Sequence, residues 1–190
     1  EFQAFLECVA DKPISYYAFE MLYWTGLREG ELLALTPADF NFEKKTLRVN
    51  KSYQRLEGKD VITDPKTPKS NRTIVMPDFL TIEMEDFIKS IYGIKMDDRI
   101  FTISKSYLHH EMDRGAKLAG VKRIRIHGLR HSHISLLINL GFSALAIGER
   151  VGHEAVDITY HYAHLFPTVQ TDMAAQLETE REALVNVRKE

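Results

Sequence analysis

The chain has 190 residues, of which 44% are hydrophobic and 27% are charged, a composition that excludes a disordered tail, a collagen or a coiled coil. Its single cysteine, Cys8, cannot form a disulfide within the chain, so a disulfide-stapled secreted scaffold is excluded too. No apolar run approaches the roughly 18 residues that a membrane helix needs, and no basic-then-apolar leader begins the sequence. Because the first residue is Glu1 rather than methionine, we expect a fragment of a longer protein.

Charge is distributed unevenly, although 25 basic and 27 acidic residues nearly cancel to a formal net charge of −2. Taken alone, this balance argues weakly against a nucleic-acid-binding protein. Basic residues nevertheless outnumber acidic ones across residues 41–72, and residues 121–148 contain no acidic residue. Two basic segments of this kind place a cationic face toward a polyanion, or they are ordinary solvated surface.

The hydrophobic pattern predicts helices in the N-terminal part and strands after it. Residues 1–9 and 14–24 have helical spacing, Gly26 interrupts the run, and a short helix at residues 29–35 ends before Pro37. Residues 41–76 contain three β-prone segments, 46–53, 60–63 and 72–76, which polar turns separate. These segments predict a small three-stranded antiparallel sheet inserted after the third helix.

Helices predominate again after Pro77. The predicted helices run from Pro77 to about residue 91 and over residues 106–118, 129–140, 143–151, 156–162 and 169–187, with a short apolar segment at residues 100–103. No repeat, low-complexity segment or linker divides the chain. We therefore predict one α+β domain that is mostly helical and carries one small sheet.

The segment from His127 to His131, His-Gly-Leu-Arg-His, is the first candidate for chemistry. Free backbone N–H groups and the dipole at a helix N-terminus favour an anion, so His127 and Arg130 are placed to clamp a phosphate. Alternatively, Arg130 is a surface residue and His127 a cap. In a third interpretation His127 and His131, four residues apart, bind zinc, but the segment lacks the glutamate of the zinc-protease motif and an obvious third ligand.

A second candidate follows the glycine break at Gly26. Arg28 is placed for an anion at the head of a short helix, and Glu31, three residues on, can hold its guanidinium by a charged hydrogen bond. The alternative is an ordinary surface ion pair, which contributes only a few tenths of a kcal/mol, on the order of 0.3.

Two further segments contain reactive side chains. Lys66 and Lys69 lie in a turn between two predicted strands, where a lysine either is solvated or reaches into a nucleic-acid groove and donates a proton. Six of the eight histidines, together with Tyr160 and Tyr162, occur between residues 127 and 164. So many titratable groups in one stretch favour a site over a core.

Together these motifs resemble the catalytic domain of the tyrosine recombinases, also called the phage-integrase family. The resemblance covers residues 22–164 and consists of Thr-Gly-Leu-Arg-x-x-Glu-Leu, a Lys-Thr hairpin, His-x-Leu-Arg-His, and Val-Gly-His followed by Thr-x-x-Tyr-x-His. Val151 stands where the family usually has leucine. The motif wording is most similar to integrases of prophages and conjugative transposons in low-GC Gram-positive bacteria.

The resemblance implies the main catalytic roles. Arg28 and Arg130 match the arginines that clamp the scissile phosphate, and Lys66 matches the hairpin lysine that protonates the leaving 5′ oxygen. Tyr162 matches the nucleophile, because it lies nine positions after the histidine of the Gly-His motif as in the family. Tyr160, two residues away, does not have this spacing.

The remaining roles concern histidines and supporting groups. His127 matches the group that takes the tyrosine proton, and His153 matches the one that hydrogen-bonds the phosphate. Glu31 and His131 match supporting positions, Glu31 as a buttress for an arginine and His131 with a less defined role. We further expect four basic residues to contact DNA: Lys69, Arg72, Arg123 and Arg125.

The implied reaction is DNA cleavage and rejoining through a 3′-phosphotyrosine, with no metal, nucleotide or other cofactor. Its partners are double-stranded DNA attachment sites, other protomers of a homotetramer, an excisionase and a host DNA-bending protein, in the cytoplasm at the bacterial nucleoid and not at a membrane. The chain is expected to be one catalytic domain that lacks the family's N-terminal core-binding and arm-binding domains. Its last helix, residues 169–187, either joins a neighbouring protomer or folds back on its own core.

Three alternatives remain open. Within the same family, the chain could be a chromosome-dimer resolvase with the same chemistry on another DNA site. Outside it, the histidine cluster could serve a metal-dependent hydrolase, which EDTA would inactivate, or the chain could be a catalytically silent DNA-binding module that forms no covalent adduct.

Overall fold

The structure is a computed structural model that describes residues 1–64, 70–153, 155–165, 174 and 177–179. Its α-helices are α1 (Phe2–Glu7), α2 (Pro13–Thr25), α3 (Glu29–Leu33), α4 (Asp78–Ser90), α5 (Lys105–Ala119), α6 (Ile126–Asn139), α7 (Ala144–Val151) and α8 (Ala155–Tyr162). Its strands are β1 (Phe40–Asn41), β2 (Thr46–Val49), β3 (Ser52–Leu56), β4 (Lys59–Thr63) and β5 (Arg72–Val75). Short 3₁₀ helices span Pro37–Asp39 and Ala163–Leu165.

Local sequence signals set several helix ends. Pro13 is the first residue of α2, where its missing N–H costs nothing. The side chains of Ser104 and Ser143 cap α5 and α7 by accepting hydrogen bonds from Tyr107 N and Ala146 N. Gly26 ends α2 with a left-handed backbone conformation, φ +67°, and this turn leads the chain into α3.

The strands form two antiparallel units rather than one sheet. A three-stranded sheet has the order β1-β2-β5, with Leu47 opposite Ile74, and β3 pairs with β4 in a separate hairpin. The predicted strand 46–53 is therefore wrong as a single element, because its two halves pair with different partners. Lys51, at the break, binds the buried carboxylate of Asp39 with Nζ 2.5 Å from Oδ2.

The described residues form two hydrophobic core clusters, and α6 contributes to both. The larger cluster includes side chains from the helices α1–α5 and the strands, and it reaches Ile126 and Leu129 in the first turns of α6. The smaller cluster joins the second half of α6 to α7 and α8 and consists of Ile134, Ile138, Ile147, Val151, Ile158 and Tyr162. The segment of α6 between the two clusters therefore lies at the seam between them.

The predicted α+β class, mostly helical with a small antiparallel sheet, is confirmed. The helix predicted at residues 129–140 begins earlier, at Ile126, so His127 lies inside its first turn. The apolar segment 100–103 is not a strand, and the backbone N–H of Ile100 donates to Leu35 O. Most of the helix predicted at residues 169–187 lies outside the described residues. Among those described, no helix could cross a membrane.

Candidate active site

Glu31 is the buried carboxylate around which one side of the site is built. It lies in α3 and is 4% exposed. Arg28, the residue before α3, donates its backbone N–H to Glu31 Oε2 at 2.8 Å and its Nη1 to Oε1 at 2.9 Å. The Arg28 side chain remains 35% exposed, so its guanidinium has a free face.

Arg72, the first residue of β5, is the second partner of Glu31. Its Nη1 and Nη2 atoms donate to Glu31 Oε1 and Oε2 at 3.1 and 2.9 Å, a bidentate pair, and its Nε donates to Arg150 O at 2.9 Å. Burial alone would raise the pKa of Glu31, but the hydrogen bonds and charge of Arg72, with those of Arg28, lower it overall. Arg72 is 8% exposed and its guanidinium pairs with Glu31, which indicates a structural role, and the expectation that it contacts DNA stays a prediction.

Arg130 is the most deeply buried charge of the site, at 1% exposure. It lies in α6 at the seam between the two clusters, and its Nη1 donates to Gly26 O at 2.6 Å while Nη2 donates to Val151 O. Among the described residues no carboxylate is within ion-pair distance of it, and its buried Nε has no hydrogen-bond partner. Burial, with the charges of Arg28 and Arg72, lowers the pKa of Arg130 to about 9.

His153 follows α7, beyond the left-handed turn at Gly152. That turn brings Gly152 O within 3.4 Å of Arg28 Nη2, and the His153 N–H donates to Gly148 O at 2.9 Å. Burial, followed by the charges of Arg130 and Arg28, lowers the pKa of His153 to about 4. The ring is therefore neutral at pH 7 and can donate or accept a hydrogen bond beside the two arginines.

Tyr162, the last residue of α8, turns inward, whereas Tyr160 is 83% exposed. The Tyr162 side chain is 8% exposed, and its hydroxyl hydrogen-bonds His131 Nδ1 on α6. Burial raises the pKa of Tyr162, and the positive charge of Arg130 opposes that rise. The phenol is thus held protonated next to a cationic site.

His127 and His131 lie one turn apart on the exposed side of α6. Their rings meet edge to face, with centroids 4.8 Å apart. Partial burial lowers the pKa of His127, and His131, Arg130 and Arg28 lower it further. His127 therefore shares one electrostatic environment with both arginines.

Seven of the residues singled out from the sequence converge on this seam: Arg28, Glu31, His127, Arg130, His131, His153 and Tyr162. Lys66 and Lys69 lie outside the described residues, so their roles stay predictions. Arg125 is exposed beside the start of α6, and Arg123 is exposed but paired with Asp113 at 2.6 Å.

Arg150 is a partly buried arginine beside the site that the motifs do not indicate, and its backbone carbonyl accepts from Arg72 Nε. Its Nη1 and Nη2 donate to Val75 O and Trp24 O, and its Nε donates to His133 Nε2 at 3.1 Å. Burial, then the charge of Arg150, lowers the pKa of His133 to about 3, so this histidine is a neutral packing group. Within the described part of the chain, no group of three or more His, Cys, Asp or Glu residues is arranged to hold a metal.

A family model and the sequences of known proteins both match this chain. The model of the phage integrase family matches residues 1–168. The ICEBs1 integrase of Bacillus subtilis is 32% identical over 193 aligned residues, which cover 94% of this chain and 52% of the relative. The chain thus spans about half the length of the curated relatives it matches.

Two solved structures are similar to this fold. The Tn1549 transposon integrase in complex with a circular intermediate DNA has a TM-score of 0.74 at 24% identity, over 94% of this chain and 63% of that one. The catalytic domain of bacteriophage HP1 integrase has a TM-score of 0.63 at 20% identity, over 92% of this chain and 89% of that one.

Proposed function

We infer, because the chain belongs to the phage integrase family, that it is the catalytic domain of a tyrosine recombinase that cuts and rejoins DNA at specific sites. One observation carries this proposal. The Tyr162 hydroxyl is held beside Arg130, whose buried guanidinium has no described carboxylate within ion-pair distance. A nucleophile next to a cation without a direct ion-pair partner is suited to attack on an anionic phosphodiester.

The phosphate fits where the fixed charges converge. Arg130 is held from behind by two backbone carbonyls, and Arg28 is held by Glu31 with part of its guanidinium free. Both would face the non-bridging oxygens and neutralise charge as it develops in the transition state. The neutral His153 ring adds a hydrogen bond to the same phosphate.

In the cleavage step, Tyr162 Oη attacks phosphorus and the bond from phosphorus to the 5′ oxygen breaks. The products are a 3′-phosphotyrosine and a 5′-hydroxyl, and Lys66 supplies the proton to the leaving oxygen. The phosphoester bond energy is conserved in the intermediate. A 5′-hydroxyl from another strand can therefore reverse the step and exchange strands.

The activity of the whole protein extends this proposal. We expect integration and excision of a mobile element, because relatives include the ICEBs1 integrase and the integrase of Staphylococcus phage L54a. The DNA attachment site, the homotetramer, the excisionase and the host DNA-bending protein are the expected partners, at the bacterial nucleoid. Residues 1–190 would form one catalytic domain, with the end of the chain contributing to tetramer assembly.

The test is covalent trapping with the full-length protein. Nicked duplexes with a randomised central segment are incubated with protein in EDTA, and SDS-stable adducts are isolated and their DNA is sequenced. We expect an adduct from the wild type that is lost in Tyr162→Phe and retained in Tyr160→Phe. The Tyr160 variant is the matched control, since the same change is made two residues away on an exposed ring.

Each outcome has a clear meaning. An adduct lost only in Tyr160→Phe would show that the nucleophile is assigned to the wrong tyrosine. Binding without any wild-type adduct would favour a silent DNA-binding module, and activity that EDTA abolishes would favour a metal-dependent hydrolase.

A further inference from the structure

The Tyr162 hydroxyl does not hydrogen-bond His127, the histidine that the family resemblance gives as the acceptor of its proton. Its partner is His131 Nδ1, one position after Arg130 on α6. The ring centroids of His131 and Tyr162 are 5.9 Å apart, at an interplanar angle of 45°. An in-plane ring nitrogen can thus meet the phenolic oxygen, as a hydrogen bond requires.

His127 is placed differently. Its ring packs on the His131 ring, and no described hydrogen bond joins it to Tyr162. A group that takes a proton in the transition state must be within hydrogen-bond reach of that proton. His131 meets this requirement in the structure, and His127 stands one ring further away.

We propose that His131, rather than His127, accepts the phenolic proton when Tyr162 attacks the scissile phosphate. The inference rests on the proposed function. The proton leaves Tyr162 Oη for His131 Nδ1, the bond from Oη to phosphorus forms, and the bond to the 5′ oxygen breaks and takes its proton from a separate acid. In rejoining, His131 returns the proton to the departing phenolate.

The surroundings of His131 suit this role. The titratable groups brought against it are Arg130 and His127 from its own helix and His161 and Tyr162 from α8. Partial burial, then the charges of Arg130 and His161, lowers the pKa of His131 and favours the neutral ring, whose Nδ1 accepts from the Tyr162 hydroxyl in the tautomer that is protonated at Nε2. Because the His131 ring is also exposed to solvent, a proton that it accepts can pass on to water.

The experiment compares His131→Asn with His127→Gln in the full-length protein, on a duplex recovered by covalent trapping. Asparagine carries an acceptor close to the position of Nδ1 but takes no proton between pH 5 and 9, so it separates positioning from proton transfer. Single-turnover adduct formation is followed from pH 5.5 to 9. The wild-type rate should rise with pH to a plateau, with a midpoint below the usual pKa of histidine.

For His131→Asn we expect a loss of roughly 100-fold at pH 7 and disappearance of that midpoint. His127→Gln should retain the midpoint whatever its rate. Free imidazole should restore part of the rate of His131→Ala, which a purely structural role would not allow. Thermal unfolding of each variant checks that it is folded.

Other outcomes would overturn the inference. A His131→Asn rate within a few-fold of wild type, with the same pH profile, would make His131 a positioning residue only. Loss of the midpoint in His127→Gln alone would return the role to His127. If the wild type forms no adduct, the proposed function itself fails, and this failure is distinct from a normal His131→Asn variant beside an active wild type.

Discussion

Arg130 and Arg72 are two buried arginines whose replacement by methionine should change stability by different amounts, with the larger loss at Arg72. Arg130 is 1% exposed and, within the described part of the chain, hydrogen-bonds only to backbone carbonyls, whereas Arg72 is 8% exposed and forms a bidentate pair with Glu31. If Arg130 is kept charged to bind phosphate, its charge is a cost to the folded chain. If Arg72 serves only to hold Glu31 in place, its charge stabilises the folded chain.

The magnitude for Arg130→Met follows from its pKa of about 9, far below the ordinary value of an arginine, and this difference corresponds to roughly 5 kcal/mol. Because the folded pKa lies below the unfolded one, the unfolded chain holds the proton more tightly, and the cost is present in full at pH 7. Methionine removes this cost but leaves Gly26 O and Val151 O unpaired, at about 1–3 kcal/mol each. The variant should lie between about 1 kcal/mol less stable and about 3 kcal/mol more stable than wild type.

Arg72→Met instead leaves the buried carboxylate of Glu31 without its bidentate partner. Breaking a buried pair on one side costs about 3–5 kcal/mol, so we expect a loss near the lower end because Arg28 still contacts Glu31. The assay is urea unfolding at pH 7, followed by the fluorescence of Trp24, the single tryptophan. Equal destabilisation by the two variants would refute the view that Arg130 is a cation without a direct ion-pair partner. Arg130→Met must also lose the covalent adduct.

Three further predictions concern other parts of the chain. Burial, with the charge of Glu83 nearby, raises the pKa of Glu20 to about 7. The folded chain therefore binds this proton more tightly than the unfolded chain, and the free energy of unfolding falls as pH rises from about 4.5 to 7. Glu20→Gln should remove up to about 3 kcal/mol of that fall, measured by urea unfolding between pH 5 and 8. Gly26→Ala should cost at least about 1–2 kcal/mol in thermal unfolding and lower the cleavage rate, because the residue has φ +67° and a Cβ would lie 2.7 Å from His133 Cδ2. Arg125→Ala should leave stability unchanged and reduce the salt dependence of DNA binding by about one phosphate contact, and an unchanged slope in salt-titrated binding would contradict its assignment to DNA.

The sequence predicts the turns, helix ends and motif residues, because these features depend on short segments of the chain. The residues of the four motifs were identifiable because each motif combines a turn or helix end with side chains a few positions apart. Gly26 ends α2 and Gly152 ends α7, both with positive φ, and these two turns bring Arg28 and His153 to the same place. Arg28, Arg130 and Tyr162 each belong to one of these motifs, and the structure brings them together, although their chemical roles stay predictions.

What the sequence could not predict depends on pairings between distant segments. Arg72 belongs to a basic stretch, from which the sequence predicts a DNA contact, but the carboxylate with which it pairs, Glu31, lies 41 positions earlier. The predicted strand 46–53 divides because β2 pairs with β5 and β3 with β4, and cross-strand pairing decides a strand more than local propensity does. The partner of Tyr162 is likewise set by how α8 packs on α6, which no motif spacing specifies.

The net charge of −2 is a poor guide to whether the chain binds nucleic acid, because binding depends on which groups pair with each basic side chain. Arg72 is paired with Glu31, Arg28 shares that carboxylate, and the hydrogen bonds that the described residues give Arg130 go to backbone carbonyls. Salt screens exposed charges far more than buried ones. Raising the salt concentration should therefore weaken DNA binding by exposed cations such as Arg125, while the rate of the chemical step in a bound complex, which we propose depends on Arg130, should change little.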